Sequence, residues 1–211
     1  MHEEMRNENL VIVFVKNTKL GQVKTRLAQS IGNADALYIY NRLLDITEHA
    51  TASLAMDKWI AFSESAENTR WPDDKKIVQK GNDLGEKMKN AFNLGFADGY
   101  QKIVLIGSDL PDITSEIIDN AFEKLNTCET VFGPAEDGGY YLVGMSQMHN
   151  FIFENKPWSQ PNLLDLTLSE LRDKDISTNL LTPLNDIDTF EDLKNSSLFE
   201  DFVQLNDAQP K

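Results

Sequence analysis

Four short segments hold the residues able to do chemistry. The first runs Phe14-Val15-Lys16-Asn17-Thr18-Lys19-Leu20-Gly21-Gln22-Val23-Lys24-Thr25-Arg26-Leu27. It sets Lys16, Lys19, Lys24 and Arg26 in a stretch, Asn9 to Ala34, that contains no acid. Cations at that density, leading into a helix N-terminus, suit a di- or triphosphate; a solvated basic loop is the bland alternative. The second is Gly107-Ser108-Asp109-Leu110-Pro111-Asp112. An acid directly after an apolar strand sits at that strand's carboxyl edge. There it can hold Mg²⁺, which takes few protein carboxylates and fills its shell with phosphate and water. Asp112, just ahead of Thr114, reads instead as help for a helix cap.

The third segment is Gly133-Pro134-Ala135-Glu136-Asp137-Gly138-Gly139-Tyr140-Tyr141. Glu136 and Asp137 are candidates to orient or deprotonate an acceptor hydroxyl, beside a glycine pair that lets a ligand approach the backbone. Against this stands a plain turn, because Asp-Gly is a strong turn signal. The fourth is Asn185-Asp186-Ile187-Asp188-Thr189-Phe190-Glu191-Asp192. Asp188 reads as the cap of a last helix with Glu191 three residues on, which leaves Asp186 to reach a metal.

Other chemistries are missing. No Gly-Lys-Ser/Thr follows Gly21 to make a phosphate-binding Walker loop, no GxGxxG follows the first strand, and there is no GxSxG elbow. His2, His49 and His149 lie far apart and read as surface or packing residues. The single Cys128 forbids an internal disulfide and a cysteine zinc site.

The elements that must position these segments are legible from periodicity. Leu10 to Val15 (LVIVFV) and Ile103 to Ile106 are continuous apolar runs, as in strands buried on both faces of a parallel sheet. Trp59 to Phe62, Ile77 to Gln79, Thr130 to Phe132, Tyr140 to Val143 and a strand ending at Leu180-Leu181 complete the set. Helices are expected over Val23–Ser30, Ala34–Ala55, from Asp83 as N-cap to Gly99, after Thr114, over Leu163–Leu171, and from Asp188. Strands alternating with helices imply βαβ units and a mostly parallel sheet. The Tyr140 strand follows Phe132 too closely for an intervening helix and is expected to run antiparallel.

The 211 residues favour one domain over 1–211, with its core from about 10 to 193 and a frayed tail at 206–211. The net charge of −14 repels nucleic acid and anionic membrane, and within it the +4 stretch points to a small anionic ligand. The polar, acid-bearing Met1 to Asn9 reads as neither secretory signal nor transit peptide, so a cytoplasmic location is expected.

Taken together and in order, the four segments resemble the nucleotide-diphospho-sugar transferase superfamily. Within it they are similar to small bacterial glycosyltransferase-like proteins, largely of unassigned function, some associated with radical-SAM neighbourhoods and arsenosugar synthesis. The carriers are Lys24 to Leu27 (KTRL), Gly107 to Pro111 (GSDLP), Gly133 to Met145 (GPAEDGGYYLVGM) and Asp186 to Leu193 (DIDTFEDL). Two residues depart from the family pattern: Thr18 and Phe190 stand where proline is usual.

The resemblance implies a single-domain, Rossmann-like GT-A fold, a three-layer α/β sandwich with a mostly parallel, mixed sheet. It maps nucleotide and phosphate contacts onto Lys16, Lys24 and Arg26. Metal ligation maps onto Asp109 together with Asp186 or Asp188. Asp83 joins the nucleotide set, because Gln79 to Gly85 resembles the family's "DLG" region. The implied activity is Mg²⁺- or Mn²⁺-dependent transfer from a nucleotide-activated donor, foremost glycosyl transfer from a nucleotide-diphospho-sugar to a small-molecule acceptor. The alternatives are guanylyl or cytidylyl transfer from a nucleoside triphosphate to a small phosphorylated acceptor, releasing pyrophosphate, and a non-catalytic nucleotide-binding protein.

Overall fold

A computed structural model of the chain describes residues 7–207. Most of the N-terminal segment, with His2, lies outside them, as do 208–211 of the expected frayed tail. The apolar runs become seven strands: β1 (Asn9–Val15), β2 (Asp57–Phe62), β3 (Lys75–Val78), β4 (Lys102–Ile106), β5 (Thr130–Pro134), β6 (Tyr140–Met145) and β7 (Thr178–Leu180). They form one sheet in the order β3-β2-β1-β4-β6-β5-β7. Val13 of β1 pairs with Ile60 on one side and Ile106 on the other, both in parallel register. Only β6 runs the other way, antiparallel to β4 and β5, as its short connection requires.

Seven α-helices accompany the sheet among the described residues: α1 (Thr25–Ile31), α2 (Asn33–Ala52), α3 (Leu84–Ala97), α4 (Ser115–Lys124), α5 (Leu163–Asp173), α6 (Phe190–Lys194) and α7 (Leu198–Asp207). Alternation along the strands splits the core into two layers. Val11, Val13, Val104 and Ile106 pack with Tyr40 and Leu44 of α2 and Ile118 and Phe122 of α4. Leu10, Ile12, Ile103 and Leu105 pack with Met88 and Phe92 of α3 and Leu164 and Leu171 of α5. The result is the three-layer α/β sandwich with a mixed, mostly parallel sheet.

Packing continues beyond residue 193. Leu198 of α7 is buried with Leu27, Ile39, Leu43 and Leu193, and Phe199 and Phe202 pack against them. Residues 206–207, expected to be frayed, close α7.

The order of the strands decides where a ligand can sit. From β1 the chain first builds outward to β2 and β3, then returns by α3 to lay β4 on the other flank of β1. The carboxyl ends of β1 and β4 therefore splay their loops apart, leaving the crevice in which open α/β sheets bind ligands. The loop of Lys16 to Lys24 leaves β1 there, and Asp109 leaves β4.

Candidate functional site

A cavity of about 330 Å³ opens at that crevice. Its polar lining includes Lys16, Lys24, Tyr40, Ser108, Asp109, Asp137 and Asp186. The loops around it are tied together. Asn17, buried, accepts from the Glu64 amide at 2.9 Å and donates to the Ser65 carbonyl at 2.8 Å, fastening the loop after β1 to the loop after β2. The Tyr40 hydroxyl accepts from the Lys16 amide at 2.9 Å and lies 3.2 Å from Ser108 Oγ, joining α2 to the loops after β1 and β4.

The acids come together from distant parts of the chain. The Ile187 amide donates to the Asp109 carbonyl at 3.2 Å, so Asp186 and Asp188 flank that point. One carboxylate oxygen from each of Asp109, Asp186 and Asp188 lies within 4.8 Å of the other two. The cap of α6 explains why Asp188 is available. The N-cap is Thr189 rather than Asp188, and the reciprocal partner is Asp192 rather than Glu191. Asp192 accepts from the backbone of both Asp188 and Thr189, which leaves the Asp188 side chain outside the cap.

Lys24 sits among these acids. Its ammonium donates to Asp109 Oδ2 and Asp188 Oδ1, each at 3.0 Å, and its side chain is only 5% exposed. The residue has φ 47°, ψ 46°, a left-handed backbone that costs a non-glycine residue of order 1–3 kcal/mol. Arg26, exposed, reaches Asp188 Oδ2 at 2.7 Å. Burial alone would lower the Lys24 pKa, but the charges of Asp109 and Asp188 override it and hold the ammonium above its ordinary value. Burial alone would raise Asp188, but Lys24, followed by Arg26, holds it below the usual carboxylate range. Asp186 lacks such a partner. Burial, then the charges of Asp109 and Asp188, push its pKa up to about 7.

That shift has a sign that can be tested. The folded chain keeps a proton on Asp186 that the unfolded chain, with an ordinary carboxyl near 3.8, has already lost. Its contribution to stability is therefore present below about pH 4 and lost as pH rises through about 7. A cation binding to the carboxylate must displace the same proton. Mn²⁺ affinity should rise close to tenfold per pH unit below 7 and level off above it. Titration calorimetry between pH 5.5 and 8.5 checks this, and Asp186→Asn should flatten the profile.

The other sequence candidates divide. Lys16 lines the cavity. Asp137 does too, and its Oδ1 accepts from the Gly139 amide at 2.8 Å, so the turn and the cavity wall share one residue. Gly138 is required there. With φ +88° it brings the loop so close to Pro161 that a Cβ would stand 1.9 Å from the Pro161 carbonyl oxygen. Glu136 is exposed and takes no part in the cavity lining; its backbone amide donates to the Leu184 carbonyl at 3.3 Å. Asp83 is also outside the lining; its carboxylate caps α3 through the Glu86 amide at 2.8 Å. Asp112 is exposed, and Thr114 caps α4.

Sequence reasoning missed Tyr40, Met88 and Trp158 as parts of the site, whereas Phe14 and Gln79 open segments that it singles out. Tyr40 and Met88 read only as apolar faces of helices. The one available signal for Trp158 was its setting between Pro157 and Pro161, which marks a fixed loop carrying an aromatic side chain.

The arrangement can bind a divalent cation through three carboxylates and can set two lysines and an arginine beside it. Among the described residues no helix is long and apolar enough to cross a membrane. No curated protein sequence matches the chain. Among solved structures, the chain is 30% identical to one described as a "putative nucleotide-diphospho-sugar transferase" from Desulfovibrio desulfuricans G20, over 96% of both chains, with TM-score 0.83. The fold also matches the inositol-1-phosphate CTP transferase from T. maritima, at 14% identity and TM-score 0.53, over 96% of this chain and 98% of that one. A third match is the manganese complex of Rv0371C from Mycobacterium tuberculosis H37Rv, at 13% identity and TM-score 0.50, over 89% and 95%. Residues 46–160 match the family described as "Uncharacterized protein conserved in bacteria (DUF2064)". With that match and the near-complete overlay on the Desulfovibrio protein, the chain belongs to this bacterial family, built on the nucleotide-diphospho-sugar transferase fold.

Proposed function

We propose that the protein is a divalent-metal-dependent transferase that moves a glycosyl group from a nucleotide-diphospho-sugar to a small hydroxylated acceptor. The observation carrying this reading is the carboxylate cluster of Asp109, Asp186 and Asp188, bridged by Lys24 at the mouth of the switch-point cavity. Burial, then the charges of Asp109 and Asp188, lift the Asp186 pKa to about 7, and three carboxylates so placed make a donor set that a divalent cation relieves. Mg²⁺ and Mn²⁺ both fit all-oxygen ligands, and the manganese complex of the mycobacterial fold relative makes Mn²⁺ the first ion to try. When bound, the ion supplies charge neutralisation for the departing diphosphate.

Lys16, Lys24 and Arg26 hold the donor's diphosphate beside these carboxylates. The acceptor oxygen attacks the sugar's anomeric carbon, and the bond from that carbon to the β-phosphate oxygen breaks. The nucleoside diphosphate leaves with the bonding pair, against the charge of Lys24. Asp137 takes the acceptor's proton. Nucleotidyl transfer is the weaker reading, because among the described residues the cations lining the cavity are Lys16 and Lys24, both on the loop after β1, and the donor's diphosphate takes both. A phosphorylated acceptor would need a cationic site of its own.

The test is calorimetric binding of nucleoside diphosphates, triphosphates and nucleotide-sugars, with and without Mn²⁺. Mn²⁺-dependent preference for a nucleotide-sugar supports glycosyl transfer; preference for a triphosphate supports nucleotidyl transfer. Asp137→Asn keeps the acceptor for the Gly139 amide and should leave thermal stability and donor affinity near wild type. Turnover should fall by about 10²–10⁴-fold. Unchanged turnover would reduce Asp137 to a turn residue.

A further inference from the structure

The cavity has two kinds of wall. Besides the charged residues and the polar Gln79, Ser159 and Gln160, its lining includes Phe14, Met88, Leu105, Tyr140, Val143 and Trp158, which belong to or pack against the one apolar cluster between the sheet and helices α3 and α5. Trp158 is seated there by Gly85, in the first turn of α3. A Cβ at Gly85 would stand 2.5 Å from the Trp158 ring, so only glycine admits the indole at this depth. Tyr140 belongs to the same wall. Its ring packs edge-on against Phe132 at 5.2 Å between centroids, and its hydroxyl is buried with no hydrogen-bond partner. A hydroxyl left unpaired in an apolar wall is costly unless something else completes it.

From this wall we infer that the second substrate is a small hydroxylated molecule with an apolar body, aromatic or branched aliphatic, seated against Phe14, Met88 and Trp158 with an oxygen directed to Tyr140. The inference rests on the transferase reading only in calling that molecule the acceptor. A second sugar fits less well on these six side chains, since ring hydroxyls pressed on them would lose their water partners and meet only the Tyr140 phenol; Gln79, Ser159 and Gln160 also line the cavity but are not part of this apolar set. A phosphorylated acceptor fits worse, because the lining cations, Lys16 and Lys24, belong to the loop at the carboxylate side. An apolar body gains by displacing water from the wall, and a single oxygen finds the single unpaired group.

Trp158 also supplies the readout. Trp59 and Trp71 are 1% and 2% exposed, whereas Trp158 is half-buried at the cavity, so a ligand on this wall should change Trp158 emission in particular. Benzyl alcohol is the probe, with glucose and glucose 1-phosphate as comparisons, titrated into the intact protein. Saturation-transfer NMR on the wild type provides a second measurement that needs no variant. Saturable binding of benzyl alcohol, with little or none of the two sugars, supports the inference. Tyr140→Phe should weaken benzyl alcohol by about threefold to tenfold while leaving toluene unchanged. It should also leave the Mn²⁺-dependent affinity for a nucleoside diphosphate unaltered.

Glucose binding as tightly as benzyl alcohol would overturn the inference. So would displacement of benzyl alcohol by a free nucleoside, since the wall would then hold the donor's base. Equal losses for benzyl alcohol and toluene in Tyr140→Phe would overturn the role of the hydroxyl. A protein that binds nucleoside diphosphate with Mn²⁺ but no benzyl alcohol refutes this acceptor and leaves the transferase reading standing. A protein that binds benzyl alcohol but no nucleotide refutes the transferase reading, and with it the assignment of the wall to an acceptor.

Discussion

Lys24→Met should bind a divalent cation more tightly than the wild type and yet turn over far more slowly. The ammonium now stands 3.0 Å from a carboxylate oxygen of both Asp109 and Asp188, where it competes with any second cation. Removing it leaves three acids facing Arg26, which is largely in solvent, and Lys16, which is exposed. Without metal, the variant should lose about 1–3 kcal/mol of stability, less than for a fully buried pair because both acids are about one-third exposed. Added Mn²⁺ should recover most of that loss, and its affinity should increase on the order of tenfold through relief of charge competition. Turnover should nonetheless fall by about 10²–10³-fold, the cost typical of removing a donor aimed at developing negative charge. Thermal melts with and without Mn²⁺, beside steady-state rates, check all three. Weaker metal binding with unchanged turnover would make Lys24 a structural cation only.

Asp109→Asn should produce the opposite pattern. The amide keeps the shape, and Lys24 retains Asp188, so the melting temperature should stay close to wild type. The site loses one of its three anionic ligands. Mn²⁺ affinity should drop by about a hundredfold or more, beyond the usual cost of losing an outer-shell partner, and turnover on the order of a thousandfold with the metal's charge stabilisation. Nucleoside diphosphate affinity measured without metal should hardly move. Calorimetry in the presence and absence of Mn²⁺ separates the two quantities. A folded Asp109→Asn protein with undiminished Mn²⁺ dependence would remove Asp109 from the metal set.

Much of the scaffold is legible because its central strands are buried on both faces. Leu10 to Val15 and Ile103 to Ile106 can be little else, and the antiparallel β6 follows from a connection too short for a crossover. Asp83 is readable as the cap of α3 because the cap is local chemistry. The same chemistry misleads at Asp188, where two acids and a threonine compete for one helix start. Thr189 takes the role with Asp192, since the backbone donors of both Asp188 and Thr189 fall within reach of that carboxylate. Helix α7 is invisible to a reading that ends the core at residue 193; its phenylalanines matter only once α1, α2 and α6 offer a surface.

Within the site, residue type and position bring Lys24, Asp109 and Asp186 to notice, the family resemblance adds Asp188, and the structure sets the four side by side. Glu136 and Asp137 look equivalent in sequence, yet within the turn they share it is Asp137 that accepts from the Gly139 amide and lines the cavity, and Glu136 does not. The apolar wall is the least legible part. Met88 and Trp158 carry no motif, and their meeting depends on the packing of α3 against the loop that holds Trp158.

The seam between Asp109 and Ile187 bears on how the chain comes into being. The carboxylates joined there belong to segments made far apart in time. During synthesis, β1 and β4 can pair while the stretch that carries Asp186 and Asp188 is still unmade or confined within the ribosome. A cation therefore has no complete cage to stabilise until the stretch from Asp186 to Asp188 emerges, and it cannot act as a nucleus for the sheet. Long-range closure of this kind comes late in folding. Metal capture should thus follow assembly of the central strands, and a nascent chain stalled before residue 184 should ignore Mn²⁺ even with those strands in place.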